Sequence, residues 1–530
     1  MTLFDWGVIS VYAVGMIALS VYLSRGQTNQ DDYYVGGRDM PWWAIGISTM
    51  ATQTSAISFI SIPAFVALKP GGGFTWLQYE LAVPLAMIVT AALLLPFFRS
   101  LDLISVYEYL ELRFGSSVRY LVSAVFLVSR ALGTAVALYA SAIVLTVMLD
   151  LPVWMTIVMM AVFTVIYDTI GGMKAVVYSD VIQIGILMSG IVVCIFYALK
   201  VAGGLDSVLS SVHPDRLRAL DFTTGLSDGG STPFWGFVVG GLFLYTAYYG
   251  TDQSQVQREL SAKDMAGTRR SLYLNGYVRF PLTLLYAFLG LAIGGVYALS
   301  PEYQQQVPRE FLDFLVPVFI LEYLPQGVRG LLVAALLAAS MSSLDSALNS
   351  LSAASMRDFI EKRFTLSVRQ ALWLGKGMTV FWGCLIAAFA LVVGGISDTV
   401  VESINKIGSA FYGPILAAFL TGVLSQRATT VAIFTGILAG VGFNLILWVA
   451  FPDLFWMWWN LLGLLITILV TLLLGPLTRA RPVEEIARYT LTGSGFLRGQ
   501  RLWRPAYTFL VLYFVFMLLV MWVLHSLSMP

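Results

Sequence analysis

The sequence predicts an all-α integral membrane protein of about fourteen transmembrane helices, and three observations predict it. Of 530 residues 58% are apolar and only 12% charged, where a soluble domain carries about a quarter charged residues. The apolar residues come in runs near the ~20 residues that cross a bilayer. Lysine and arginine crowd into alternate connections between those runs. A formal charge of +1, with no basic stripe or zinc-finger spacing, excludes nucleic acid as a partner. Cys194 and Cys384 both fall in apolar runs and read as packing residues rather than a disulfide or metal pair.

Taken in order, the first run, 3–23, is too long for a signal-peptide core and lacks a basic start and a small-residue cleavage site, so it reads as a retained anchor. Further runs follow at 42–68, 76–98, 118–149, 153–170, 178–200, 233–251, 271–299, 329–352, 372–395, 406–424, 429–450, 454–475 and 506–527. A segment around 311–325 reads as an interfacial helix. With the N-terminus outside, the inner connections hold Arg25, Arg38, Arg99, Arg113, Arg119, Lys174, Arg258, Lys263, Arg269, Arg270, Arg357, Lys362, Arg363, Arg369, Arg427 and the basic group from Arg479 to Arg504. The outer ones hold only Lys69, Arg216, Arg218 and Arg309. That bias places both termini outside, makes 201–232, with His213, an external loop, and makes 476–505 a basic, solvated cytoplasmic linker.

The runs from 42–68 to 178–200 and from 233–251 to 406–424 form two groups of five. An odd number per group turns the second group upside down, the topology of a five-plus-five inverted repeat whose first and sixth core helices are broken at the midplane. The organisation is therefore 1–41 as an extra N-terminal helix and loop, 42–200 as the first repeat, 201–232 as the external loop, 233–424 as the second repeat, and 425–530 as extra C-terminal helices.

Polar residues inside these runs mark what the protein does with them. Ala339, Ser342, Ser343 and Ser346 are spaced i, i+3, i+4, i+7 and share one helix face, with Asp345 beside them. Such a stripe is either a small-residue seam between helices or an oxygen-only site for a hard cation such as Na⁺, and the carboxylate favours the site. Seven hydroxyl or amide residues lie between Ser48 and Ser58. They suit an unwound stretch lining a polar cavity rather than a lipid-facing helix. Gly71-Gly72-Gly73 reads as a gate or a turn, and Phe411-Tyr412-Gly413-Pro414 as a hinge. Glu80, Arg130, Asp180 and Arg279 are ionisable groups within or at the edge of runs. A buried arginine demands a carboxylate, a carbonyl cluster or an anionic ligand, so Arg130 either pairs internally, with Glu80, or binds an anion. Asp180 reads as a site residue or an interfacial cap, and Asp252-Gln253 as a site or the polar exit of its run. An embedded enzyme is disfavoured, because His213 and His525 are far apart in topology and no soluble domain is present.

These residues resemble the sodium:solute symporter family, which contains sodium/sugar, sodium/proline and sodium/sialic acid cotransporters. The resemblance rests on Gly36-Gly37-Arg38 ahead of Trp42-Trp43, on the stretch from Gly171-Gly172-Met173-Lys174 through Ser179-Asp180 to Gln183, and on Ala339 with Ser342-Ser343. Thr251-Asp252-Gln253 with Val256-Gln257-Arg258 and Ala262-Lys263 adds to it. It implies Na⁺ as coupling ion, held by Ala51 and Thr54 on the first broken helix and by Ala339, Ser342 and Ser343. It implies a second cation site at Asp180, Asp345 and Ser346, where Asp345 departs from the usual hydroxyl. Solute-contacting positions implied by the resemblance are Gln53, Ser55, Ser58, Glu80, Arg130, Asp252, Arg279 and Asn405. Arg130 aligns with an arginine that clasps a carboxylate in sialic-acid carriers, and Gln53 stands where proline carriers have an aspartate. The expected activity is Na⁺-coupled import of a small polar solute by alternating access at the plasma (cell inner) membrane. A carboxylate-bearing acid, polyhydroxylated acids included, is favoured over a neutral sugar or polyol. An H⁺-coupled carrier, a channel or a solute sensor on the same fold ranks lower. The expected partners are the solute and the lipid bilayer, with no obligate protein partner.

Overall fold

A computed structural model describes the chain except residues 55, 229–231, 308–311, 393–399, 480 and 529–530, and the side chains of 400–405 and 498. Among the described residues the structure is helical, with no strand. Of the described helices, eleven are long and apolar enough to cross a membrane, or twelve if the bent pair Trp42–Gln53 and Ala56–Ala67 is one span. The expected runs at 153–170 and 178–200 lie in one stretch, Val153–Ala202, of 50 residues. Straight, it would be about 75 Å long, against a hydrocarbon core of about 30 Å. Gly172, at φ 58° and ψ −157°, divides it. A Cβ there would meet the Tyr33 ring and carbonyl oxygen at 2.6 Å, so only glycine fits.

Val328–Ala354 is the central helix, packed against Val153–Ala202, Ser116–Leu149, Leu3–Leu23 and Trp42–Gln53. From Leu332 to Ala354 every residue is buried except Ser343, which borders a cavity. Helices at the periphery are different. Arg504–Ser526 presents Phe509, Leu512, Val515, Phe516 and Leu519 outward, an apolar face that suits lipid rather than water.

Two expectations change, and a third gains detail. Leu315–Tyr323, expected as an interfacial helix, buries Leu315, Val316, Phe319 and Ile320 and packs over Ala56–Ala67. The linker expected to be solvated is partly docked: Ile486, Thr490 and Leu491 are buried, and Leu491 N–H donates to the Val423 carbonyl at 2.9 Å. The chain beyond Asp252 does not exit into solvent. Gly241–Thr251 ends at Asp252, which is extended (φ −78°, ψ 121°), and Gln253–Leu260 resumes as a helix whose eight residues are all buried. Arg258, expected in a cytoplasmic connection, is inside the protein.

Candidate functional site

Two interruptions of helices face one cavity. Trp42–Gln53 stops at Thr54 (φ −92°, ψ 68°), and the chain bends by 57° into Ala56–Ala67. Thr54 N–H donates to the Ala51 carbonyl at 3.0 Å and its Oγ1 to the Met50 carbonyl at 2.9 Å. On the facing central helix, Ser343 Oγ donates to the Thr52 carbonyl at 3.3 Å. Unwinding at this point leaves carbonyls short of helical partners, and the residues that the resemblance implies for Na⁺, Ala51, Thr54, Ala339, Ser342 and Ser343, have only oxygen to offer. That donor chemistry fits Na⁺. Among the described residues, no group of histidine, cysteine, aspartate and glutamate is arranged to hold a metal ion.

The cavity, of about 210 Å³, is lined by Gln53, Thr54, Ser58, Glu80, Arg130, Asp252, Arg279 and Ser343 among others. Ser55 lies outside the described residues; Asn405 is in Val400–Leu424, but its side chain lies outside them. The pairing of charges differs from expectation. Glu80 does not meet Arg130; it takes Arg279 in a fork, Nη2–Oε1 at 2.7 Å and Nε–Oε2 at 3.2 Å, with Thr283 Oγ1 donating at 3.0 Å. Among the described residues Arg130 has only Asp252 as an ion-pair partner, at 3.7 Å; its guanidinium lies over the Tyr248 ring, 6.0 Å from the centroid, and its buried Nε has no hydrogen-bond partner. Asp252 is held by Ser254 N–H at 2.9 Å, Ser254 Oγ at 2.6 Å and Tyr412 OH at 3.3 Å. Gln53 Oε1 accepts from Tyr249 OH at 2.6 Å, and Ser58 Oγ donates to the Gln53 carbonyl at 3.3 Å.

Sequence reading missed the aromatic wall: Trp76, Tyr79, Tyr245, Tyr248, Tyr286 and Tyr412 line the cavity. The signal was present in Tyr245, Tyr248 and Tyr249, spaced i, i+3, i+4 just ahead of Asp252. Tyr286 OH is buried with no hydrogen-bond partner.

Below Ser343 the expected second cation residues do come together, with an unexpected companion. Asp180 Oδ1 accepts from Ser342 Oγ, and Oδ2 from Ser48 Oγ at 2.5 Å. Arg258 Nη2 is 3.4 Å from Asp180 Oδ2 and donates to Ser346 Oγ. Its Nε donates to Ser48 Oγ at 2.7 Å and its Nη1 to the Ser254 carbonyl at 2.5 Å. Asp345 accepts from Tyr167 OH and, at 3.1 Å, from Ser346 Oγ. Asp180 is therefore no interfacial cap.

With this geometry in hand, comparison with known proteins is informative. The model of the sodium:solute symporter family matches residues 33–440. Mouse sodium-coupled monocarboxylate transporter 1 is 32% identical over 454 residues, covering 83% of this chain and 72% of that protein. The sodium/sialic acid symporter NanT of Aliivibrio fischeri is 31% identical over 475 residues, 88% of this chain and 92% of the relative. Human sodium/iodide cotransporter is 30% identical over 457 residues, 84% and 69% of the two chains. Among solved structures, a substrate-bound, outward-open Na⁺-coupled sialic acid symporter superposes with a TM-score of 0.80 at 25% identity, covering 90% of this chain and 99% of that one. A nucleobase-cation-symport-1 transporter shares the fold at a TM-score of 0.53 and 12% identity, covering 88% and 99%. The helical architecture and the match over most of its length make this chain a member of the sodium:solute symporter family.

Proposed function

We propose that this chain is a Na⁺-coupled symporter of a small carboxylate-bearing solute, with Arg130 as the carboxylate anchor. One observation carries the reading: among the cavity's arginines, Arg279 is held in a fork by Glu80, whereas Arg130 keeps an unpartnered Nε and a long ion pair of 3.7 Å. A guanidinium in that condition is ready for a forked bond to a carboxylate. The relatives named for monocarboxylates, sialic acid and iodide all take anions, which supports an anionic solute here. Tyrosine and tryptophan rings give the body of the solute an apolar wall.

Na⁺ is assigned to Ala51, Thr54, Ala339, Ser342 and Ser343, and the solute to Gln53, Ser55, Ser58, Glu80, Arg130, Asp252, Arg279 and Asn405. Na⁺ joins the broken helix to the central helix, so ion and solute stabilise one conformation together, the thermodynamic meaning of coupling. The finer architecture assigned is the five-plus-five inverted repeat of a fourteen-helix chain, with breaks at Thr54 and Asp252 and the domain boundaries given above. Both termini face outward from the plasma membrane.

The test is uptake into proteoliposomes under an inward Na⁺ gradient, with K⁺ and H⁺ gradients as controls. Labelled short monocarboxylates, sialic acid, pantothenate, glucose, galactose and myo-inositol are compared. Accumulation of an acid that needs Na⁺ and is lost in Arg130→Ala is expected. Accumulation of neutral sugars alone, with Arg130→Ala tolerated, would overturn the carboxylate assignment.

A further inference from the structure

We propose that the Arg258 guanidinium is itself the cation of the pocket formed by Asp180, Ser342 and Ser346, so that each transport cycle carries one Na⁺ and not two. The inference rests on the Na⁺-coupled reading above and narrows its ion stoichiometry. Resemblance assigned Asp180, Asp345 and Ser346 to a second cation, and the residues around that position do not fit one. Arg258 and Asp180 are 1% and 0% exposed. Asp180 Oδ1 is taken by Ser342 and Oδ2 by Ser48 and Arg258; Ser346 Oγ accepts from Arg258. Oxygens that would face an ion face N–H and O–H donors instead. Na⁺ entering there would also sit beside a fixed positive charge in a medium of low dielectric, where like charges repel strongly.

The charge is tethered in a useful place. Arg258 lies on Gln253–Leu260, and that helix begins at Asp252, its N-cap. Asp252 also faces Arg130 in the cavity. A solute carboxylate that draws Arg130 from Asp252 acts on the helix that carries Arg258, which links the cavity to the buried carboxylates without a second ion.

The test counts ions. Equilibrium binding of radioactive Na⁺ to the purified full chain, without solute, is expected to give one Na⁺ per chain, and Arg258→Gln is expected to raise it to two. In proteoliposomes, one Na⁺ with one monovalent acid carries no net charge. Uptake by the unmodified chain is therefore expected to be unchanged by an inside-negative K⁺–valinomycin potential. Two Na⁺ bound to the unmodified chain, or uptake stimulated severalfold by that potential, would overturn the inference. Both of these readouts stand even if Arg258→Gln fails to fold. No Na⁺ bound at all would instead remove the Na⁺-coupled reading on which the inference depends.

Discussion

Arg130 and Arg258 are both arginines buried among membrane helices, and they are held in opposite ways. Every nitrogen of Arg258 has a partner: Ser48, the Ser254 carbonyl, and Ser346 with Asp180. Arg130 has one carboxylate at 3.7 Å and an idle Nε. The side chains are chemically identical, so the difference lies in what surrounds them. A guanidinium with every nitrogen engaged is part of the scaffold; one with a nitrogen to spare in a cavity is poised for a ligand. Arg279 stands between the two: Glu80 holds it in a fork, yet it lines the cavity.

The largest effect should come from breaking the scaffold arginine. Arg258→Met leaves Asp180 buried without its counter-charge, a loss of about 3–5 kcal/mol when one member of a buried pair is removed. Thermal unfolding in detergent should show it, and Asp180→Asn added to Arg258→Met should recover most of the loss. Equal stability of Arg258→Met and the parent would erase the contrast between the two arginines.

Removing the other arginine should leave the fold nearly untouched and strike binding. Arg130→Ala is expected to weaken acid binding by about 1.5–3 kcal/mol, the worth of a hydrogen bond to a charged group, with little change in melting temperature. Arg130→Lys should recover only part of the affinity, because an ammonium cannot make the fork. Direct binding measurements beside melting curves separate the two effects; a large fall in melting temperature would mean that Arg130, too, is scaffold.

A smaller change sharpens the cavity side. Tyr286 OH has no partner to lose, so Tyr286→Phe should alter stability by less than about 0.5 kcal/mol. If that hydroxyl serves the solute, affinity should drop by about 0.5–1.5 kcal/mol; unchanged affinity would place the solute away from it.

The smallest effect is expected at the protein's surface, where charge pairs are wet. Glu111 is partly buried, which opposes ionisation, yet hydrogen bonds and charge from Lys362 and Arg119 hold its carboxyl below its usual range. A depressed folded value means stability present at neutral pH and lost as pH falls through it. Glu111→Gln should thus melt slightly earlier than the parent at pH 7, and the gap should close on acidification. A gap that widens in acid would contradict the sign.

Much of the cavity's polar lining could be read from the chain. The stripe at Ala339, Ser342, Ser343 and Ser346 and the polar stretch from Ser48 to Ser58 stand out because hydroxyls at bilayer depth are costly unless something faces them. Gln53, Ser58, Glu80, Arg130, Asp252 and Arg279 do line one cavity. Gln253–Leu260 was not legible. Its glutamine, serine, arginine and glutamate side chains look like a solvated connection, because a polar helix satisfied by other segments has the same composition as one satisfied by water.

By itself the sequence determined the membrane class and the oxygen-rich faces, since these follow from hydropathy and helical period along one continuous stretch. Tertiary structure alone decided the pairings: Glu80 with Arg279, 199 positions apart, and Asp180 with Arg258, 78 apart. It also decided that Gly172 divides one long helix and that Arg130 is left with donors free. Local periodicity reports which environment a residue needs. Which distant residue supplies it is set only when the helices pack, and at bilayer depth that choice separates a structural charge from a binding one.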